Sequence, residues 1–145
     1  MRIALGSDHA GFDLKEALEA WLLSEGHTVS DLGCHDTTRT DYPPIAHAVA
    51  REVTAGNAER GILVCGSGIG VSIAANRIEG ARAALVNEPL SARLCREHND
   101  ANIVCLGARL VGPDMAQEIL RVFLATPFAG GRHEARVAMI DAVTR

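Results

Sequence analysis

The chain has 145 residues, of which 48% are hydrophobic and 3% aromatic, and its formal net charge is −4. That length and apolar content suit a single domain, residues 1–145, with a core packed from two sides. The acidic balance, the lack of a basic run and the scarcity of aromatic rings argue against a nucleic-acid partner, and no apolar run approaches a membrane span.

Arg2 to Leu5 reads as a short strand. It reaches the polar Ser7-Asp8-His9 too soon for a secretory core, so a cytoplasmic chain is the expectation. Leu14, Ala17, Leu18, Trp21 and Leu22 then recur at helical spacing, with Asp13, Lys15, Glu16 and Glu19 as the polar positions between them, and Glu25-Gly26 stops the helix. Thr28 to Leu32 is a second strand, and Gly33 to Thr40 a polar connection. Tyr42-Pro43-Pro44 opens a helix with Ile45, Val49 and Val53 on one face, closed near Gly56-Asn57.

Next comes the most informative stretch, Gly61 to Asn76. Ile62 to Val64 is a strand, and Gly66, Gly68 and Gly70 form a tight loop that leads into a small-residue helix. Such a loop turns backbone N–H groups toward an anionic oxygen. Cys65 stands where the strand meets the loop. A dinucleotide fingerprint fails because Val71 occupies the place of its third glycine. The same Val71 stands where a cysteine phosphatase loop carries its arginine. A third chemistry has Cys65 moving a proton while loop amides hold an oxyanion. A buried, inert cysteine beside a turn is the structural alternative.

Ala81 to Val86 is a fourth strand, and Glu88-Pro89 starts a helix ending about Arg96 to Asn99. Asn102 to Leu106 is the fifth strand, and Met115, Ile119, Leu120 and Phe123 mark a helix after Gly112-Pro113. A break at Pro127 and Gly130-Gly131 precedes a last helix, about 132–145, with Val137, Ile140 and Val143 as its apolar edge. Strands alternating with helices predict an α/β, doubly wound, Rossmann-like sandwich around a central parallel sheet of about five strands. Ligands of such sheets bind at the carboxyl ends of the strands, where the strand order reverses. Asp8-His9, Cys65-Gly66-Ser67 and Asn87-Glu88 fall at such ends, and the first two are expected to be neighbours.

Several of these residues have plain structural readings as well. Asp8 suits a helix cap, and His98, in His98-Asn99-Asp100, can simply complement a helix dipole. Arg132 and Arg136 are four apart and can share a helix face with His133, either gripping a phosphate or facing solvent. Cys34, Cys65, Cys95 and Cys105 make no Cys-x-x-Cys pair, so reduced thiols are expected, with no zinc site and no disulfide framework. Cys34, Cys95 and Cys105 read as small apolar residues, and His27, His35 and His47 as surface or structural ones.

Five segments in register resemble the type B ribose-5-phosphate isomerases, a family shared with the galactose-6-phosphate isomerase subunits. They are Gly6-Ser7-Asp8-His9-Ala10-Gly11, Arg39-Thr40-Asp41-Tyr42-Pro43, Cys65 to Gly70 with Ala74-Ala75-Asn76, His98-Asn99-Asp100, and Gly130-Gly131-Arg132-His133 with Arg136. The resemblance implies aldose–ketose isomerisation of a sugar phosphate through an enediolate, with no metal and no organic cofactor. It implies that Cys65 is the base and His98 the acid/base that opens the furanose ring. Asp8 and His9 would bind the sugar or help that step, and Asn99 would hydrogen-bond the sugar. The amides of Gly66, Ser67, Gly68, Ile69 and Gly70 would hold the enediolate, and Arg109, Arg132 and Arg136 the phosphate. It further implies a homodimer or dimer of dimers, with the last helix at the subunit interface and a site shared between chains. Ser67 replaces a threonine frequent in the family and Leu90 an aromatic; members with a glutamate base lack the cysteine. Allose 6-phosphate or a tetrose phosphate is the alternative substrate, and a sugar-phosphate- or nucleotide-binding module without turnover the alternative class.

Overall fold

The computed structural model describes residues 1–142, so Val143 of the expected last helix lies outside the described residues. Strands β1 (Arg2–Ser7), β2 (Thr28–Asp31), β3 (Arg60–Cys65), β4 (Ala83–Leu85) and β5 (Ile103–Gly107) pair in the order β2-β1-β3-β5-β4, every pair parallel. The near-continuous apolar runs are what a sheet covered on both faces requires. Ile62 and Val64 pack into one cluster with Leu18 and Phe123; Leu63 and Cys65 pack into the other with Val49 and Val71. Helices α1 (Phe12–Ser24), α4 (Pro89–Asn99) and α5 (Pro113–Ala125) cover the first face, and α2 (Tyr42–Thr54) and α3 (Ile69–Ala75) the second. The doubly wound sandwich is therefore the observed fold.

The strand order places the site. From β1 the chain moves outward to β2, then returns to lay β3 on the other side of β1. The connections leaving β1 and β3 diverge, which opens a crevice between their carboxyl ends. Ser7 is in register with Val64, and Cys65 with Gly107, so three strands end side by side there.

Three positions depart from the sequence pattern. Lys15, among the polar positions of α1, is fully buried. Its Nζ donates to Asp31 Oδ2 at 2.5 Å and Glu16 Oε1 at 2.7 Å, which ties α1 to the end of β2. Burial works against its charge, but the bonds to Asp31 and Glu16 prevail and hold its pKa above the ordinary lysine value. Met115 is exposed, and Ala116 takes the core-facing place beside Ile119, Leu120 and Phe123. The last helix divides into a 3-10 turn, Gly131–His133, and α6 (Glu134–Asp141); on α6 Val137 is buried but Ile140 is exposed.

β4 is shorter than the expected Ala81 to Val86, because Ala81 belongs to the turn closed by its N–H on Ile78. It is an outer strand. The carbonyl of Arg82 accepts from Ile103 of β5, so the polar groups of Ala83 point to the opposite side. Asn76 meets them there: Ala83 N–H donates to Oδ1 at 2.8 Å, and Nδ2 donates to Ala83 C=O at 2.9 Å. Among the described residues no helix is long and apolar enough to cross a membrane.

Candidate active site

Cys65 ends β3 with its side chain on the α2 and α3 face, buried among Val71, Ala74 and Cys105. Gly68 turns the chain into α3 with φ of 76°, a left-handed conformation that favours glycine. A Cβ there would lie 2.6 Å from Leu85 Cδ1 and 2.9 Å from the Leu106 carbonyl carbon, so both conformation and space demand glycine. In that turn the Gly68 N–H donates to Cys65 Sγ at 3.1 Å, a bond that strengthens when sulfur carries negative charge. Ile69 N–H donates to Ser67 Oγ at 3.3 Å. Two of the five amides from Gly66 to Gly70 are thus committed within the loop, one of them to the thiol itself.

The flanking strands supply the neighbours. Asp8 N–H donates to Val64 C=O and Ala108 N–H to Cys65 C=O, so the chains leaving β1 and β5 run alongside the end of β3. Asp8 is buried and its Oδ1 accepts from Gly11 N–H at 3.0 Å, which closes the turn ahead of α1; the helix itself has Gly11 at its N-cap and no side-chain cap, so the carboxylate holds the loop and is not the helix cap its position suggested. His9 Nδ1 faces the Thr40 backbone, 3.1 Å from its N and 3.3 Å from its carbonyl O, which fixes the ring against that loop. Arg109 lies across the loop: a Cβ on Gly66 would stand 3.2 Å from its Nη1. Tyr42, at the start of α2, packs on Gly70, where a Cβ would stand 2.6 Å from its ring. The Arg39 to Pro43 segment, matched in sequence without an assigned role, is thus a wall of the crevice.

The remaining candidates lie elsewhere. α4 runs back along the sheet, and its end leads within four residues into β5 at Ile103, whereas Cys65 is level with Gly107. His98 and Asn99 are therefore separated from Cys65 by the length of β5, about 13 Å at strand rise. Asp100, left-handed at φ 47°, closes α4 and bonds Arg96 Nη1 at 2.8 Å and Arg82 Nη2 at 3.1 Å. Arg82 also bonds Asp141 at 2.8 Å, which ties α6 to the same end. His133 stacks on His98 with ring centroids 4.4 Å apart, so Arg132 and Arg136 belong to this end too. Within one chain, then, Asp8, His9, Cys65 to Gly70 and Arg109 form one group, and His98, Asn99, Arg132 and Arg136 another at the opposite edge. The stacking of His133 has no signal in the sequence beyond its place beside Arg132.

Two further polar groups resolve differently. Glu88, after β4, caps α4 by accepting from Leu90 and Ser91 N–H, both at 2.6 Å. Glu16, Glu19 and Asp31 converge closely enough to ligate a cation, but the Lys15 ammonium already bonds two of them. Burial, followed by the charge of Asp31, raises the Glu19 carboxyl above its ordinary pKa.

The model of the ribose/galactose isomerase family matches residues 3–140. The chain belongs to that family. It is an isomerase, with the loop cysteine and both arginine-bearing segments that the sequence resemblance rests on. Ribose-5-phosphate isomerase B of Escherichia coli is 46% identical over 142 residues, spanning 98% of this chain and 95% of that protein. A D-erythrulose-4-phosphate isomerase of Pectobacterium atrosepticum is 39% identical over 141 residues, spanning 97% and 93%. The solved structure of a ribose-5-phosphate isomerase B from Clostridium thermocellum superposes with a TM-score of 0.96 at 46% identity, covering 97% of this chain and 95% of that one.

Proposed function

We propose that this isomerase interconverts D-ribose 5-phosphate and D-ribulose 5-phosphate through an enediolate, with Cys65 as the base. The observation that carries the proposal is the thiol at the β1/β3 crevice with the Gly68 N–H on its sulfur. Sγ takes the proton from C2 of the open-chain aldose; the released electron pair forms the C1–C2 double bond, and charge passes to O1. The O2 hydroxyl proton then passes to O1, the charge now on O2 closes the C2=O bond, and the same sulfur returns its proton to C1. The amides of Gly66, Ser67 and Gly70, together with the Ser67 hydroxyl, surround the space where the enediolate oxygens develop. Asp8 and His9 wall the opposite side.

Ring opening by His98 requires a second copy of the chain, because one chain holds His98 and Cys65 at opposite ends of the sheet. Exposed apolar side chains support such a dimer. Ile69 and Ile73, one turn apart on α3 beside the Cys65 loop, are 50% and 62% exposed, and Met139 and Ile140 are uncovered on α6. In the dimer Arg132 and Arg136 of one protomer join Arg109 and His9 of its partner around the phosphate. A dimer of dimers and a cytoplasmic location belong to the same proposal.

The test is turnover by purified protein of ribose 5-phosphate, allose 6-phosphate and a tetrose phosphate in parallel. The highest kcat/KM is expected for ribose 5-phosphate. The Pectobacterium relative is named for a four-carbon sugar phosphate, so a preference for the tetrose would move the proposal to that substrate, and binding without turnover of any would reject catalysis. Arg136→Ala is expected to raise KM for ribose 5-phosphate by roughly tenfold or more, as removal of a charge-assisted contact does. Unphosphorylated ribose, if turned over at all, should lose little; equal losses on both sugars would make Arg136 a support of the fold.

A further inference from the structure

The tail after α5 is built to bring one ring onto another. Arg96 Nε donates to Thr126 C=O at 3.2 Å, and Ala129 N–H donates to the Glu97 carbonyl at 3.1 Å, so the tail is pinned to α4 twice beside His98. Gly130 and Gly131 then turn with φ of 65° and 57°, and Gly131 N–H reaches Glu134 Oε1 at 3.2 Å. His133 N–H closes on Gly130 C=O. The result is a buried His133 ring lying on the half-buried His98 ring, centroids 4.4 Å apart and planes within 15°. An offset or parallel stack of this kind fixes the plane of both rings.

We propose that His133 is a positioning residue for His98: its ring holds the His98 imidazole in the plane from which a nitrogen reaches the ring oxygen of the cyclised sugar phosphate. The inference rests on the isomerase reading above, and it separates His133 from its neighbours Arg132 and Arg136. They offer charge to the phosphate; His133 offers a flat surface. Burial, followed by the proximity of His98, Arg132 and Arg136, holds the His133 pKa below the ordinary histidine value, which suits an uncharged ring lying on another imidazole. The stack also couples the two tasks of this end of the molecule, because the turn that presents His133 also presents Arg132.

The ring step lies on the path in both directions, and the fixed equilibrium makes any loss of kcat/KM equal in the two, so the test separates the ring step from the proton transfer. Ribose 5-phosphate is a furanose and must be opened, whereas ribulose 5-phosphate has its C5 oxygen esterified and stays open, so exchange of its C1 hydrogen with D2O through the enediolate needs no ring step. In His133→Ala, kcat for isomerisation should fall by about tenfold to a hundredfold in both directions, within the range of lost acid–base catalysis, while deuterium uptake at C1 of ribulose 5-phosphate changes by less than about twofold. KM should stay near wild type for both sugars. His133→Phe, which keeps a flat ring and discards the nitrogens, should recover most of the isomerisation rate. Far-UV circular dichroism checks that each variant is folded. Parallel losses of isomerisation and exchange, or a raised KM for both sugars, would make His133 a phosphate or fold residue and overturn the proposal. Unchanged isomerisation in folded His133→Ala would also overturn it. If His133→Ala does not fold, His133→Phe decides: an isomerisation rate near wild type supports the stack, and a loss of isomerisation rejects it. A wild-type protein that turns over neither sugar would remove the isomerase reading itself, and the proposal with it.

Discussion

Cys65→Ser is expected to lower kcat by roughly 10³–10⁴-fold, the scale on which a positioned base acts, while KM stays close to wild type. The serine oxygen would occupy the place of Sγ and could accept the same Gly68 N–H, so the loop and its binding amides should persist. What is lost is a group able to exist as an anion near neutral pH, which a hydroxyl is not. Alkylation offers an independent check. Burial pushes the Cys95 thiol up to about 11 and, with Cys65 nearby, raises Cys105 further, so neither should compete at neutral pH. Iodoacetate should modify Cys65 ahead of Cys34, and ribose 5-phosphate should protect it. A Cys65→Ser protein that isomerises at near wild-type rate would exclude the thiol as base.

The second large effect is a gain. Cys65→Ala and His98→Ala should each be inactive alone, yet unfolding and refolding them together should restore activity. Random pairing makes about half the dimers hybrid, and each hybrid has one doubly damaged site and one intact site, so about a quarter of all sites should work. The physical basis is the placement of the two residues at opposite ends of β5, with the exposed Ile69 and Ile73 offering a face for the second copy. A refolded mixture as dead as its parents, beside a wild-type control that recovers fully, would place both residues in one chain's site.

Much of this was readable in the residues. Period and punctuation located all five strands and the core-facing positions Leu18, Val49 and Ile119, because burial on a helix or strand imposes a local repeat. The glycine loop was legible for the same reason: Gly66, Gly68 and Gly70 meet constraints set within a few residues, and Cys65 stands beside them. What escaped was set by distant partners. Lys15 looks like a solvated position until Asp31, sixteen residues on, is brought to it. The insertion of β5 between β3 and β4 leaves no mark on the composition of any of the three strands. Likewise nothing near His98 announces that a ring 35 positions later will lie flat upon it. Of the apolar edge expected on the last helix, Val137 is buried, whereas Ile140 is half exposed among the described residues.

An outer strand left open is a template on which another polypeptide can pair and a fibril can begin. At β4 that template is occupied. The carboxamide of Asn76 imitates the backbone of a sixth strand, filling the N–H and C=O of Ala83 with groups that can propagate no further. The opposite border, β2, is four residues long and ends in a carboxylate already engaged by Lys15. Both borders thus resist extension of the sheet from one molecule to the next. What the molecule leaves open is its helix faces, where any contact is made by side chains and is finite, whereas a free strand edge would extend without limit.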